Sequence, residues 1–315
     1  MKFFLLCIFL SFSTLLAKEI TPYRTVTASE AVSDFVKRGD ILVIGTKESI
    51  VDIYNLKDDK LVDKIVLEKQ INILGDEIGL IIASVDYLEK KVLFSTRRLD
   101  SWGDVYLYED KKLRKLIDAS QKISPKEIKF VDANRVIINT MENKLLLFDI
   151  EKKEFLYTKQ LDEASFSDFV LSEDKKYIFS ANETPLIYKI EIESGNIVEI
   201  YKKANKRDIF SIDYKNDTLL SGGKDKRVVI YKKPNQHKMV MGEFFVYSVG
   251  LNPDASRAAF SKNEEDEISV IDTASLKELY LLSGHPTTII KICFYAHNEL
   301  ISADKSNKIL FWKLD

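Results

Sequence analysis

An all-β fold built as a ring of seven four-stranded blades is what the sequence predicts. Three observations carry that expectation. One unit recurs along the chain: an apolar run, a short polar turn, and a second run rich in Tyr, Phe, Ile and Val. Copies include "KVLFSTRRLDSWGDVYLYE", "RVIINTMENKLLLFDI", "KYIFSANETPLIYKI" and "TLLSGGKDKRVVIYKK". Apolar runs on both sides of a polar turn are the signature of a β-hairpin. The residues that end the second run are Tyr54, Tyr108, Phe148, Tyr188, Tyr231, Ile271 and Trp312, and the steps between them are 54, 40, 40, 43, 40 and 41 residues. A period near 40 made of strands is that of a β-propeller blade. Aromatic residues reach 11%, which favours strands, and only 6 Pro and 11 Gly are present, which leaves no low-complexity linker.

The elements follow in order. The first residues, "MKFFLLCIFLSFSTLLAKEI", place Lys2 before an uncharged run from Phe3 to Leu16, with the small Ala17 after it. This reads as a signal peptide spanning residues 1–17, followed by a single domain over 18–315. The run is short for a membrane span, although an uncleaved anchor is the alternative. Cys7 lies too early in it for a lipoprotein signal. A short helical turn is expected over Ala28 to Val36. The long first step is explained by an extension near Glu68 to Gly79 and a longer turn around Arg97 to Gly103. The final run, "KILFWKLD", is the third strand of its blade, and no residues remain for a fourth. An apolar edge strand needs a partner. The segment Ile20 to Ala28 is therefore expected to complete the last blade and close the ring.

The last repeat, "GHPTTIIKICFYAHNELISADKSNKILFWK", resembles the WD40 repeat in Gly284, His285, Ser302 and Trp312. The turn position usually held by Asp is Ser306, a departure. The fifth repeat keeps Ser221 and Asp225, with Tyr231 for Trp and Asn205 near the His position. The sixth carries "NPDASRAAF", similar to the usual "SPDG" turn. The resemblance covers Ile20 to Asp315 and is sharpest in the last three blades. It implies a buried hydrogen-bonded network of His285, Ser302 and Trp312, partial because of Ser306, with Ser221 and Asp225 in the fifth blade. In length, blade number and N-terminal signal the chain also resembles NapL-type accessory proteins of periplasmic nitrate reductase systems in epsilonproteobacteria. That resemblance implies a periplasmic supporting role in nitrate respiration with no catalysis of its own.

The residues themselves offer little chemistry. The 47 basic and 49 acidic residues give a net charge of −2, so no strong field favours nucleic acid or an anionic membrane. A nucleophilic triad needs a base, and only His237, in a polar loop, His285, and His297, in a turn, are available. No His/Cys/Asp/Glu spacing matches a metal site, and "KNEEDE" (Lys262 to Glu267) lacks the spaced ligands of a calcium loop. The motif CxxCH is absent, so covalent haem attachment is excluded. Cys293, in the apolar run "IIKICF", reads as a buried inert thiol. No catalytic residue, metal or cofactor is assigned.

One loop stands out. Ser95 to Asp104 is longer than its counterparts and places Arg97, Arg98 and Trp102 at one end of the ring. Arg and Trp are enriched in interface hot spots, so these three are candidate partner-binding residues. The alternative is a Trp folded back on its own blade with solvated arginines. The expectation is a monomeric, non-catalytic periplasmic interaction protein, with nitrate reductase components as candidate partners and no stable membrane insertion after signal cleavage. The alternatives are a propeller enzyme of lactonase or quinone-dependent dehydrogenase type, which needs convergent acidic ligands in the channel, and a haem carrier.

Overall fold

A computed structural model describes residues 17–315, and the expected signal segment falls almost wholly outside them. The chain is a seven-bladed β-propeller. Blade 1 is Val32–Arg38, Ile41–Thr46, Ile50–Asn55 and Lys60–Val66, and blade 2 is Ile81–Leu88, Lys91–Arg97, Val105–Glu109 and Lys112–Ile117. Blades 3 to 6 begin with the inner strands Pro125–Phe130, Phe166–Leu171, Ile209–Lys215 and Val249–Leu251. Blade 7 is Ile289–Ala296, Glu299–Asp304 and Lys308–Lys313 plus an N-terminal strand. Within each blade the strands pair antiparallel in sequence order. The first strands line the centre and touch one another around the whole ring.

Burial explains the sequence pattern. Second strands are covered on both faces, so they read as unbroken apolar runs; Leu42, Val43 and Ile44 are fully buried. Outer strands have one wet face and alternate, as Glu154–Gln160 does. Seven apolar clusters fill the seven junctions between blades. A ring of this kind leaves no terminal blade whose apolar face stays wet.

Closure uses the N-terminal segment in two pieces. Arg24–Thr27 pairs antiparallel with Lys308–Lys313, with Val26 opposite Ile309, and completes blade 7. Lys18–Ile20 instead pairs parallel with Glu278–Leu282, as a fifth strand on blade 6. The segment expected in one blade therefore staples two. Pro22 lies at the crossing and has no N–H to give to either sheet. Ile20 packs on the junction between blades 6 and 7, and Val26 on the junction between blades 7 and 1.

The helical turn expected over Ala28 to Val36 is not there. Val32–Arg38 is the inner strand of blade 1, because Val32, Phe35 and Val36 are claimed by blade junctions on either side. The one short helix among the described residues is the 3-10 turn Ala119–Gln121, capped by Asp118, whose side chain accepts from Ser120 N–H. No helix among them is long and apolar enough to cross a membrane. The extension after blade 1 forms a small hairpin, Gln70–Ile71 with Glu77–Ile78.

Candidate functional site

The Gly-His pair opens blade 7. Gly284 has φ +151°, and a Cβ there would stand 3.1 Å from Pro22 Cδ, so the crossing N-terminal chain needs glycine at this point. The side chain of His285 is fully buried, as is that of Asp304. Trp312 Nε1 donates to Ser302 Oγ at 2.7 Å, Ser302 Oγ lies 2.6 Å from His285 Nε2, and His285 Nδ1 lies 2.8 Å from Asp304 Oδ2. Indole nitrogen can only donate, so the Ser302 hydroxyl proton goes to Nε2, and Nδ1–H donates to the carboxylate. Burial works against the Asp304 carboxylate, but the bonds from His285 and Ser306 outweigh it and hold its pKa below the usual range.

This corrects the assignment of the carboxylate position. Ser306 does not leave the network partial, because Asp304, two residues earlier at the end of its strand, reaches the imidazole. Ser306 instead supplies its backbone N–H to Asp304 Oδ1, at 2.7 Å, while its Oγ accepts from Lys308 N–H at 3.2 Å. In blade 5, Asn205 Oδ1 accepts from Ser221 Oγ at 2.9 Å and from Tyr231 OH at 2.7 Å. Asp225 stands apart and accepts from Lys206 and Arg227 N–H. His237 lies on the outer strand Gln236–Met241 rather than in a loop, its ring 5.7 Å from that of Tyr231. His297 is more than half exposed, 3.4 Å from Asp254.

The centre of the ring holds an arrangement that sequence reading missed. Every inner strand is a sheet edge with N–H groups that its own blade cannot satisfy. In blades 2 to 7 a side chain of the preceding blade accepts from one of them. Val85 N–H donates to Asp34 Oδ2 at 2.8 Å, Phe130 N–H to Asp86 at 2.8 Å, and Phe169 N–H to Glu127 at 3.1 Å. Ile212 N–H donates to Asp168 at 2.8 Å, Leu251 N–H to Asp213 at 2.8 Å, and Ile292 N–H to Ser248 Oγ at 2.9 Å. Lys291 closes the circle, with Nζ 2.6 Å from Asp34 Oδ1 and 2.9 Å from Phe35 O.

These acids are scaffold. Lys129 lies 3.3 Å from Glu127, and Arg38 lies 3.9 Å from Asp86. Burial opposes the Asp34 carboxylate, but Lys291 and Lys129 more than compensate and lower its pKa. Asp168 differs. Burial above all, with the neighbouring Glu127 charge and hydrogen bond adding to it, pushes its carboxyl well above the usual carboxylate range. Among the described residues no group of three or more His, Cys, Asp or Glu is placed to hold a metal ion. Each channel carboxylate, Asp34, Asp86, Glu127, Asp168 and Asp213, instead accepts a backbone N–H of the next blade. Cys293 packs against the apolar junction of blades 7 and 1 and also borders the channel, and burial pushes its thiol up.

In six blades the inner strand bulges by one residue just before this layer, at Ser33, Ala83, Lys126, Ser167, Phe210 and Ile290. A bulge re-aims a side chain, so the bulged residue and the one after it both line the channel. Above the carboxylate layer this makes a mouth, completed by Lys47, Arg97, Lys305 and Tyr247, of a cavity of about 520 Å³.

The loop singled out in the sequence is split by the fold. Arg97 ends its strand and faces the channel mouth. Arg98 and Trp102 sit in the turn beyond, where Arg98 N–H donates to Trp102 O at 2.8 Å. Gly103 N–H donates to Ile123 O at 2.9 Å, which ties that turn to the chain entering blade 3, and a Cβ there would collide with the Thr96 carbonyl oxygen of its own blade. Leu99 N–H donates to Gln70 Oε1 at 3.0 Å, which ties the loop to the Gln70–Ile78 hairpin. Asn72 Oδ1 accepts from Leu74 N–H at 2.8 Å and Asp76 N–H at 2.9 Å, so the hairpin tip has a set shape. Its side chains point outward: Ile71 is 63%, Ile73 102% and Leu74 81% exposed, and Leu99 beside them 56%. The sequence signal for this lip was the 54-residue first step, which located the extension near Glu68 to Gly79 and the longer turn but not their contact.

No family model matches the chain, and no curated protein matches it. Among solved structures, the β-propeller domain of Myceliophteria thermophila Cps50 (Swd1) superposes with a TM-score of 0.74 at 14% identity, covering 93% of this chain and 99% of that one. As many as 1787 solved chains match, so the architecture is a common one that does not by itself choose a role. The likeness establishes a WD40-like seven-bladed β-propeller.

Proposed function

We propose that the protein is a non-catalytic interaction protein that docks a partner on the lip formed by the Gln70–Ile78 hairpin and the Arg98–Gly103 turn. Propellers of this kind generally serve protein–protein interaction. The observation that carries the reading is the cluster of Ile71, Ile73, Leu74 and Leu99, which are exposed yet held in place by Asn72 and Gln70. Large apolar side chains grouped on a surface mark contact sites. Arg98 and Trp102 beside them supply the residue types that dominate interface energetics.

The setting we propose is the periplasm, reached through the signal segment, and the partner a component of a periplasmic nitrate reductase, in the manner of NapL. The N-terminal sequence, the length and the blade number support this. The test is direct binding to purified catalytic and electron-transfer subunits of such a reductase. The wild-type chain should bind one of them, and an Ile73→Asp/Leu74→Asp variant should bind at least about tenfold more weakly at unchanged melting temperature. Full binding by that variant would remove the lip from the reading. No binding by the wild type would remove the nitrate reductase.

A further inference from the structure

The channel mouth carries positive charge that the fold does not use. Lys47, Arg97, Lys126 and Lys305 all line the cavity, and among the described residues none of them meets a carboxylate at ion-pair distance. Lys126 is the deepest in sequence terms, being the bulged residue directly before Glu127. Its Nζ donates to the Phe166 carbonyl oxygen at 2.5 Å and lies 5.5 Å from the Phe166 ring centre. Burial pulls its pKa down and Arg97 adds to this, while the more distant Glu183, Asp168 and Glu127 do not compensate. A half-buried ammonium without a counter-ion is costly unless something supplies the charge. The acids beneath are already engaged, since Asp34 is held by Lys291, Glu127 by Lys129, and Asp168 and Asp213 accept the Ile212 and Leu251 N–H groups.

One wall of the same mouth is aromatic. The rings of Phe210 and Tyr247 stack at 5.7 Å with an interplanar angle of 10°, and both line the cavity. A volume of about 520 Å³ is that of a small-molecule site rather than of a folded partner's entry.

We propose that the channel mouth binds a small organic polyanion, a compound with two or more carboxylate or phosphate groups on an apolar body. The anionic groups are met by Lys126 and Arg97 from inside and by Lys47 and Lys305 from the rim, and the body lies against Phe210 and Tyr247. The cations are spread around the ring, which favours more than one anionic group. The aromatic wall favours an organic body over inorganic phosphate.

Calorimetric titration of the full chain with phthalate, with citrate and with inorganic phosphate tests this, alongside a short poly-glutamate peptide. Saturable one-to-one binding of phthalate or citrate, tighter than that of phosphate, is expected. Arg97→Gln and Lys47→Gln, whose side chains carry no bond of the fold, should each weaken it several-fold, and Lys126→Gln at least tenfold. Should Lys126→Gln fail to fold, the other two variants decide. The proposal falls if neither organic anion binds saturably, or if binding is indifferent to these variants. It falls equally if only the peptide binds, which would make the mouth a protein-docking site. The variants leave the Ile73–Leu74 lip unchanged, so failure here and failure of the partner experiment are distinguishable.

Discussion

Lys291 Nζ lies 2.6 Å from Asp34 Oδ1, across 257 residues of chain, and joins the inner strand of the last blade to that of the first. It closes a circle made mostly by oxygen acceptors and backbone N–H groups. Removing the ammonium leaves Asp34 charged and enclosed. Lys291→Met should therefore lower stability by about 2–4 kcal/mol, below the fully buried range because both side chains keep some exposure. Urea unfolding of the single variant and of Lys291→Met/Asp34→Asn checks this. The double variant should recover part of the loss, since an amide tolerates burial better than an unpaired carboxylate.

Asp168 and Asp34 should respond to pH in opposite directions. The folded-state pKa of Asp168 is raised, so its contribution is full at low pH and is lost as pH rises through that value. Asp168→Asn should remove this loss and make the variant the more stable protein in the alkaline range. Asp34 is lowered in the folded state, so its contribution is present at neutral pH and is lost as pH falls through the folded value. Asp34→Asn should flatten the acid limb. Denaturant midpoints measured across pH would expose either sign as wrong.

His285→Ala should cost about 2–4 kcal/mol, because it strands the buried Asp304 carboxylate and one side of Ser302. Ser306→Ala should cost about 1 kcal/mol or less, because the variant keeps the backbone N–H that serves Asp304 and loses only the half-exposed Oγ that accepts from Lys308 N–H. Equal effects of the two substitutions in a thermal melt would show that the carboxylate position had been misassigned to Asp304.

Closure by the N-terminal strand is open to the same kind of test. Val26 is 4% exposed within the junction of blades 7 and 1, whereas Thr25 next to it faces solvent. Val26→Asp should destabilise by at least about 3 kcal/mol, and Thr25→Asp by a small fraction of that. Hydrogen exchange should show the first variant opening Lys308–Lys313, the strand that loses its partner.

Much of the fold was legible because its signals are local. A middle strand buried on both faces must be apolar throughout, and each blade repeats that demand, so residues such as Phe148, Tyr188, Tyr231 and Trp312 recur at nearly fixed spacing. The partner of the last strand was legible for the same reason: Lys308–Lys313 is apolar on both faces, and the apolar alternation of Arg24–Thr27 fits beside it. The inner circle was not legible. Its members, among them Asp34, Glu127, Asp168, Ser248 and Lys291, share no chemistry beyond being polar. Their partners are mostly backbone N–H groups of the next blade, which leave no mark on sequence.

By itself, then, the sequence determined the number of blades, their boundaries and the need for the N-terminus to close the ring, because burial on both faces of a strand constrains every residue in it. Tertiary structure alone decided which carboxylate meets His285, that Ile20 and Val26 serve different blades, and that Arg97 turns to the channel while Arg98 and Trp102 join the Gln70–Ile78 hairpin. Each of those outcomes depends on a bulge, a strand end or a neighbouring blade that brings together residues far apart in the chain. Distance through space, unlike apolar character, is not a property any single residue carries.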